Sequence, residues 1–579
     1  MTTPDGAVAT TSYSGNTTTI TDQNGKMKVV TSDGLGHISQ VAEDPKGLNM
    51  VTSYGWSAAG NMTTVTQGTQ QRSFTFDPSN RLAYTIEPEN GIVRYWYDNV
   101  GNVTSTQDAR GVTKTYGIDD LNRVTSISYS DGTPAVAFNY DNQPAGSNTN
   151  NTRGRLLSVS NSNSTTNFTS YDAKGNVAAS SQVTAGHTYN FSYTYNLTSA
   201  LTSETYPDGR QVTTNYDGAN RVSTLSGKLG TANTNYVTQL QYWPNGMVST
   251  LARGNNVGLT TSITNRQQLS CAVENNTTLG WQLWAECLTW NTNNTVNWIR
   301  YNNGGAGYPQ LLSFVQTFGY DNLNRLTSAT DTPPTGSPTN WSRNFNYDQW
   351  GNMWVSNGTG PMSGNTPQTN VYAANNKNQD GRWAYDASGN LQTVNGNTAT
   401  YNVENQITNL SNGPASESMN YDSLGERVQK AYGGTTTVYV YDIFGLAAEY
   451  NSAGTWSRDY IRSGRGQLIA TENASGGVCA TCYFTADHLG GTRIVTDSGA
   501  NVVARHDYLP FGEEIAAGKA GRDANFGPVS DVTLKFTGQV RDEEAGQDFF
   551  NARYFTPALG RFNSPDPGNA GASLFTSQS

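Results

Sequence analysis

The stretch YDNVGNVTSTQDARGVTKTYGIDDLNRV, residues 97–124, writes one small turn twice. Tyr97, or Ile118 standing in for it, precedes an Asp. Two variable residues follow, then Gly101 or Asn122, then a short β-branched run. Asp at the first turn position can accept backbone N–H bonds, and Gly or Asn three residues on tolerates the left-handed conformation that closes the turn. Flanking runs such as VRYWYD alternate, placing Tyr95 and Tyr97 on one face of a strand, as VTTNYD does for Thr213 and Asn215.

The motif recurs at Tyr97-Asp98 with Gly101, Tyr171-Asp172 with Gly175, Tyr216-Asp217 and Tyr320-Asp321. It continues at Tyr347-Asp348 with Gly351, Tyr385-Asp386 with Gly389, and Tyr421-Asp422 with Gly425, with weaker copies at Phe76 and Ile118. Between copies sits a second turn, as in EDPKG, EPENG and QDARG. The pattern predicts an all-β chain of short antiparallel hairpins, roughly fifty strands at one per ~10 residues and ~4.8 Å apart. Open sheets rarely pass ~10 strands without curling, so the right-handed twist must coil this one into a wall with an inside. Tyr suits such a wall, its rings stacking across strands while the hydroxyl stays wet.

Composition agrees. In 579 residues, hydrophobic types make up 35% and charged types 14%, while Gly (60) and Tyr (32) are abundant. A chain this long would ordinarily hold about four domains with separate cores, but core-filling aliphatics are scarce. No apolar run reaches the ~18 residues of a membrane-spanning helix, and MTTPDGAVATTSYSGN lacks the features of a signal peptide. The expectation is a soluble piece of a longer protein, or a chain exported without a cleaved leader. A net charge of -10 without Lys or Arg runs argues against nucleic-acid or anionic-membrane binding.

Cys479 and Cys482 have C-x-x-C spacing, open to a disulfide, half a zinc site or a redox pair; Cys271 and Cys287 lie sixteen apart rather than as a second C-x-x-C, which makes the zinc signal weak. GGVCATCYFTADHLGG reads as strand and loop, which disfavours thioredoxin-like chemistry, so all four are disulfide candidates and no metal or cofactor is expected. Residues 141–155 read as a surface loop. Residues 250–315 read as irregular decoration or, preferably, strands whose turn code has drifted. Asp487 beside His488, and His506 beside Asp507, offer no dyad, because adjacent strand residues point to opposite faces.

On these repeats the chain resembles the YD-repeat, or Rhs, family, and the match hardens at DHLGGTRIVTDSGANVVARHDYLPFGE and FTGQVRDEEAGQDFFNARYFTPALGRFNSPDP. These resemble the Rhs core-associated region through Asp487, His488, Gly490, Arg493, Pro510, Phe511, Gly512, Gly538 and Arg541. The match continues through Arg553, Tyr554, Pro557, Gly560, Arg561 and Phe562. Thr556 replaces a usual Asp, and Phe549 and Phe550 an aromatic pair often written with Tyr. The resemblance implies a hollow spiral shell, or β-cocoon, with 1–470 as repeat wall, 471–568 as the core-associated closing segment and 569–579 as a flexible tail. In polymorphic toxins and Tc-type complexes such a shell encloses a toxic domain freed by aspartyl self-cleavage. That chemistry needs two carboxyls sharing a proton. SPDPGN supplies Asp566, with Gly568 one place early, and no second motif follows, so no self-cleavage is expected. The implied function is a non-catalytic, secreted or cell-surface bacterial container for a cargo polypeptide, or a half-shell awaiting a complementary subunit. The rival is an adhesive scaffold whose exposed Tyr and Trp bind glycans or proteins.

Overall fold

The computed structural model describes residues 1–141, 150–306, 311–334, 339–394, 396–412, 415–474, 477–527 and 531–566. Among them, 47 strands form three antiparallel sheets. Thirty run from Thr10–Ser14 to Met353–Thr359, thirteen from Trp383–Tyr385 to Val502–Arg505, and four lie between Val540 and Phe562. Each strand pairs with its sequence neighbours, so each sheet is a meander.

The two rims of the wall use different turns. At the YD rim, Asp98 Oδ1 accepts the N–H groups of Val100, Gly101 and Asn102 at 2.7–2.9 Å, and Gly101 has φ 102°. The register slips by one residue immediately beyond, between Val103 and Ser105. The same slip follows Tyr171, Tyr216, Tyr320, Tyr385 and Tyr421, and in the Tyr347 hairpin it comes further in, between Asn344 and Phe345. The opposite rim uses tight pairs such as Ala185-Gly186 and Gly433-Gly434, all with positive φ. A bulge raises local twist and bends its strand. Bulges repeated at one rim therefore curl the sheet in one direction.

Because it curls, the chain returns onto itself. Lys26 donates to the Asp321 carbonyl (2.5 Å), Arg110 to Asn402 (3.0 Å), Asn161 to Tyr421 (3.0 Å) and Tyr206 to Tyr460 (2.9 Å). Asn255 reaches Thr496 (3.0 Å). The separation across this seam falls from 295 residues at Lys26 to 241 at Asn255, so the spiral tightens as it winds.

Packing differs along it. Within residues 1–141 only Val41, Tyr95 and Val136 are buried hydrophobics, and both faces of strands such as Met62–Gln67 are half exposed. Further on, Tyr189, Phe191 and Tyr193 pack with Val438, Val440 and Tyr450 of the next winding, and Thr492–Thr496 is buried on both faces. The segment after residue 505 lies against the wall, with Phe511 edge-on to Phe345 and Phe526 to Phe314. The molecule is a wet-walled opening above a packed base.

Of residues 250–315, those described, 250–306 and 311–315, continue the meander as ordinary strands and turns, with Trp290 in the Tyr position and Asn294 closing the turn at φ 68°. Of the loop expected at 141–155, residues 142–149 lie outside the described residues; Asp141 and Thr152 at its base are buried and bonded to each other. The expectation of wet hydroxyls is overturned. Tyr171, Tyr216, Tyr320 and Tyr347 each donate to a carbonyl of an earlier strand at 2.6–2.9 Å, because a half-buried O–H needs a partner. Stacked rings are also not the repeat's device. Arg81, Arg123, Arg155, Arg221 and Arg325 lie 4.2–4.9 Å from the ring centres of Tyr97, Tyr140, Tyr171, Tyr242 and Tyr347.

Candidate functional site: the anchored closing segment

The chemistry-bearing groups concentrate where residues 487–548, part of the segment expected to close the shell, meet the wall. Asp487 opens a YD-type turn, accepting the N–H groups of Leu489 and Gly491 at 2.9 Å through Oδ1 and Arg493 Nε at 2.7 Å through Oδ2. Arg493 also donates to Asp507 and, at 3.0 Å, to the Tyr301 hydroxyl. Asp507 in turn accepts from Arg522, whose fork reaches both oxygens of Asp331 at 2.8 Å. A buried chain of alternating charge thus runs from Asp487 through Arg493, Asp507 and Arg522 to Asp331, tying the closing segment to the thirty-stranded sheet. Burial alone would raise the Asp507 carboxyl, but Arg522 and Arg493 hold it below its ordinary range. At Asp331 burial wins over Arg522 and the carboxyl is pushed up.

His488 and His506 pair not with the adjacent Asp487 and Asp507 but with carboxylates 202 and 8 residues away. His488 Nδ1 bonds Glu286 at 2.7 Å, and Glu286 also accepts the His488 backbone N–H at 2.9 Å. Burial opposes the charged imidazole, yet Glu286 raises it. His506 Nδ1 bonds Glu514 at 2.6 Å, and Glu514 also holds Lys535 at 2.8 Å. Both dyads are anchors: Glu286 is fully buried in the strand Trp281–Trp290, and Glu514 ties two parts of the closing segment together.

A second anchor joins the small sheet to the thirteen-stranded one. Arg427 donates to Asp542 (2.5 Å) and the Tyr554 hydroxyl (2.6 Å), and Lys430 to Asp542 (2.7 Å) and Glu544 (2.5 Å). Arg541 binds Asp548 and the Gly512 carbonyl (2.9 Å). Gly512, after Pro510 and Phe511, has φ 91°, and a Cβ there would meet the Phe536 ring at 2.5 Å. Gly490 and Gly538 face each other in two positive-φ turns. Pro557 opens a short turn that Gly560 closes at φ 61°; Arg561 donates to the Asn376 carbonyl (3.1 Å), and Arg553 lies 3.9 Å over Phe562.

Cys271 and Cys287 face each other on paired strands and are joined by a disulfide, as are Cys479 and Cys482 at the edge of a buried cluster with Val495 and Val532. Among the described residues no group of three or more His, Cys, Asp or Glu could hold a metal. Asp566 is half exposed and salt-bridged to Arg553 at 3.2 Å. Nearby, a cavity of about 750 Å³ opens where the three sheets meet, lined by Lys114, Tyr129, Asn163, Glu404, Glu426 and Arg553.

Sequence reasoning missed Glu286, Asp331, Arg427, Arg522 and Asp542, and named Asp507 without its arginine partners. Their one signal is a charge at a strand or loop position in a chain that spends few charges, with its partner 14 to 202 residues away.

The architecture is that of a β-shell. The Teneurin YD-shell family matches residues 296–576. The tRNA3(Ser)-specific nuclease WapA of Bacillus spizizenii is 26% identical over 265 residues, 44% of this chain and 11% of that protein. Toxin subunit YenC1 of Yersinia entomophaga is 24% identical over 313 residues, 45% of this chain and 32% of that one. The solved structure of TcdB2-TccC3 without its hypervariable C-terminal region superposes on 98% of this chain and 32% of its own, with TM-score 0.78 and 16% identity. The Photorhabdus luminescens Tc holotoxin pore gives 0.75 at 14% identity over the same shares. By its repeats and fold the chain is a YD-repeat shell protein similar to these relatives, the family match covering a little under half of it. It spans about a tenth of the WapA protein and about a third of the solved chains.

Proposed function

We propose that this chain is a non-catalytic shell segment that encloses a cargo polypeptide or joins a complementary shell subunit, acting outside the bacterial cell that makes it. The observation that carries the reading is the contrast along the spiral: residues 1–141 form a wall wetted on both faces, whereas the later winding is packed against the closing segment. A protein evolved only to be compact would fill the first part as it fills the second. We assign residues 1–470 to the repeat wall and 471–568 to the closing segment, with the Asp331–Arg522–Asp507–Arg493 chain as its rivet. The likeness to Tc-complex structures and to a toxin subunit supports a toxin-delivery setting.

Small-angle scattering on the purified chain tests this. A distance distribution with the excess of long vectors typical of a hollow particle supports the container; a rod or flat ribbon overturns it. Trp96 and Trp281, each nearly half exposed, favour a second role in glycan or protein binding, which substitution of both would abolish.

A further inference from the structure

We propose that two carboxyl pairs in the seam between windings, Glu204–Asp442 and Asp208–Asp459, form a proton-held clasp: the windings stay joined there while each pair keeps a proton and part when both are lost. The inference concerns the wall itself and is independent of what the shell encloses.

Glu204 ends the strand Leu201–Thr205 of the first winding, and Asp442 ends Thr435–Asp442 of the second. Their carboxyls hydrogen-bond each other. Glu204 Oε1 and Asp442 Oδ2 are both buried, and neither receives a bond from any N–H or hydroxyl. Two carboxyl groups can bond only if one carries a proton. Four residues on, Asp208 faces Asp459, their side chains 9% and 0% exposed; here the carboxyls also accept other bonds, Asp208 from the Arg210 backbone N–H at 2.8 Å and Asp459 from Arg210 Nε at 3.2 Å.

The surrounding charges do not remove the need for that proton. Facing Glu204 are Asp442, Arg462 and Asp459, with Tyr193, Tyr195 and Tyr206 packed around them. Arg210 reaches Asp459 at 3.2 Å and Asp208 at 3.7 Å, but also serves Glu472 at 3.6 Å and Tyr236 at 3.4 Å. Asp459 accepts Trp456 Nε1 at 2.9 Å, and Tyr450 lies nearby. Burial and the facing carboxylate push both Glu204 and Asp459 well above the ordinary carboxyl range. Ionising both members would place like charges within hydrogen-bonding distance in a dry seam. The neighbouring seam bonds are few: Gln182 bridging the Tyr439 carbonyl and the Tyr441 N–H at 2.9 Å, Tyr206 to Tyr460, and the Gly464 N–H to Thr214 at 3.0 Å. Both clasps lie beside them, so opening the pairs unzips this stretch.

The test is hydrogen exchange on the full chain from about pH 6 to about pH 10, read on peptides covering 201–216 and 435–465. Beyond the intrinsic base catalysis, seam exchange is expected to rise about tenfold per pH unit once one linked proton is lost. In the Glu204→Gln, Asp459→Asn protein, whose amides keep the bonds without the charge, that excess disappears. Wild-type exchange that follows the intrinsic rate alone, or an excess unchanged in the double variant, overturns the proposal. Infrared spectra of the wild type give a check free of folding effects: the protonated carboxyl band must fall in step with seam exchange, and a band that stays constant through the opening overturns it.

Discussion

Tyr97 donates its phenolic hydrogen to the carbonyl of Leu82, 15 residues earlier, at 2.9 Å. Leu82 opens the strand that pairs with Tyr97's own, so the bond closes the rim end of that hairpin and ties one YD turn to the last. Trp56 and Trp290 do the same with their indole N–H, to Ile38 and Leu269 at 2.8 Å. The position therefore selects a long aromatic with a donor at its tip. Tyr347→Phe removes the donor to Leu326 and keeps the ring under Arg325. Its expected cost is about 0.5–1.5 kcal/mol, read as a lowered urea midpoint at unchanged slope.

Arg522 is fully buried between two carboxylates and lies 3.9 Å over Phe314. Arg522→Met strands Asp331 and Asp507 without their cation, and breaking a buried ion pair on one side costs about 3–5 kcal/mol. Limited proteolysis should then cut within the 505–527 segment before it cuts the wall. Cleavage in the wall first would refute the anchoring role.

Glu417 is buried with neither carboxyl oxygen receiving a bond, and burial together with Asp542 pushes it up to about 8. The folded chain thus keeps a proton that the unfolded chain releases above about pH 4.3. Stability from this group falls by about 1.4 kcal/mol per pH unit from there until pH reaches the folded value. Asp542 runs the other way: despite burial, Arg427 and Lys430 hold it low, so its contribution is present at neutral pH and is lost as pH falls through its depressed value. Glu417→Gln should remove the fall between about pH 4.3 and about 8 and leave in place the loss that Asp542 causes at lower pH.

Asp566 sits half exposed and salt-bridged to Arg553 at 3.2 Å, whereas an aspartyl mechanism works through two carboxyls that share one proton. Intact mass after prolonged incubation at mildly acidic and neutral pH should show one undivided chain. A defined C-terminal fragment would overturn the non-catalytic reading.

Local features were legible because local chemistry produces them. Asp98, Gly101 and Asn102 make their turn within five residues, so the turn, the strand on either side and the need for the sheet to coil are written in the chain order. The Tyr97 hydroxyl was misjudged as wet because its acceptor lies a hairpin away, and no composition argument supplies a partner. Glu286 and His488 are 202 residues apart in sequence and meet only because the spiral brings one winding over the next. Where that overlap falls depends on the curvature added at every bulge, a sum over many turns that no single motif states. The cysteines show the same limit: Cys271 and Cys287 meet through strand register, which the drifted turn at Leu279 and Gly280 hides.

The shrinking distance across the seam makes the interior a tapered bore. At the wide end about 25 strands close one revolution, and at ~4.8 Å each this gives a circumference of ~120 Å and a backbone-to-backbone width of ~38 Å. A folded domain of ~100 residues, with a radius of gyration of ~13 Å, is itself about 33 Å across before the lining side chains are counted. It would jam at the entrance, and the passage narrows from there. A thread of polypeptide meets no such limit, so the geometry sorts by state of folding: the opening admits chain as a strand and excludes it as a folded domain.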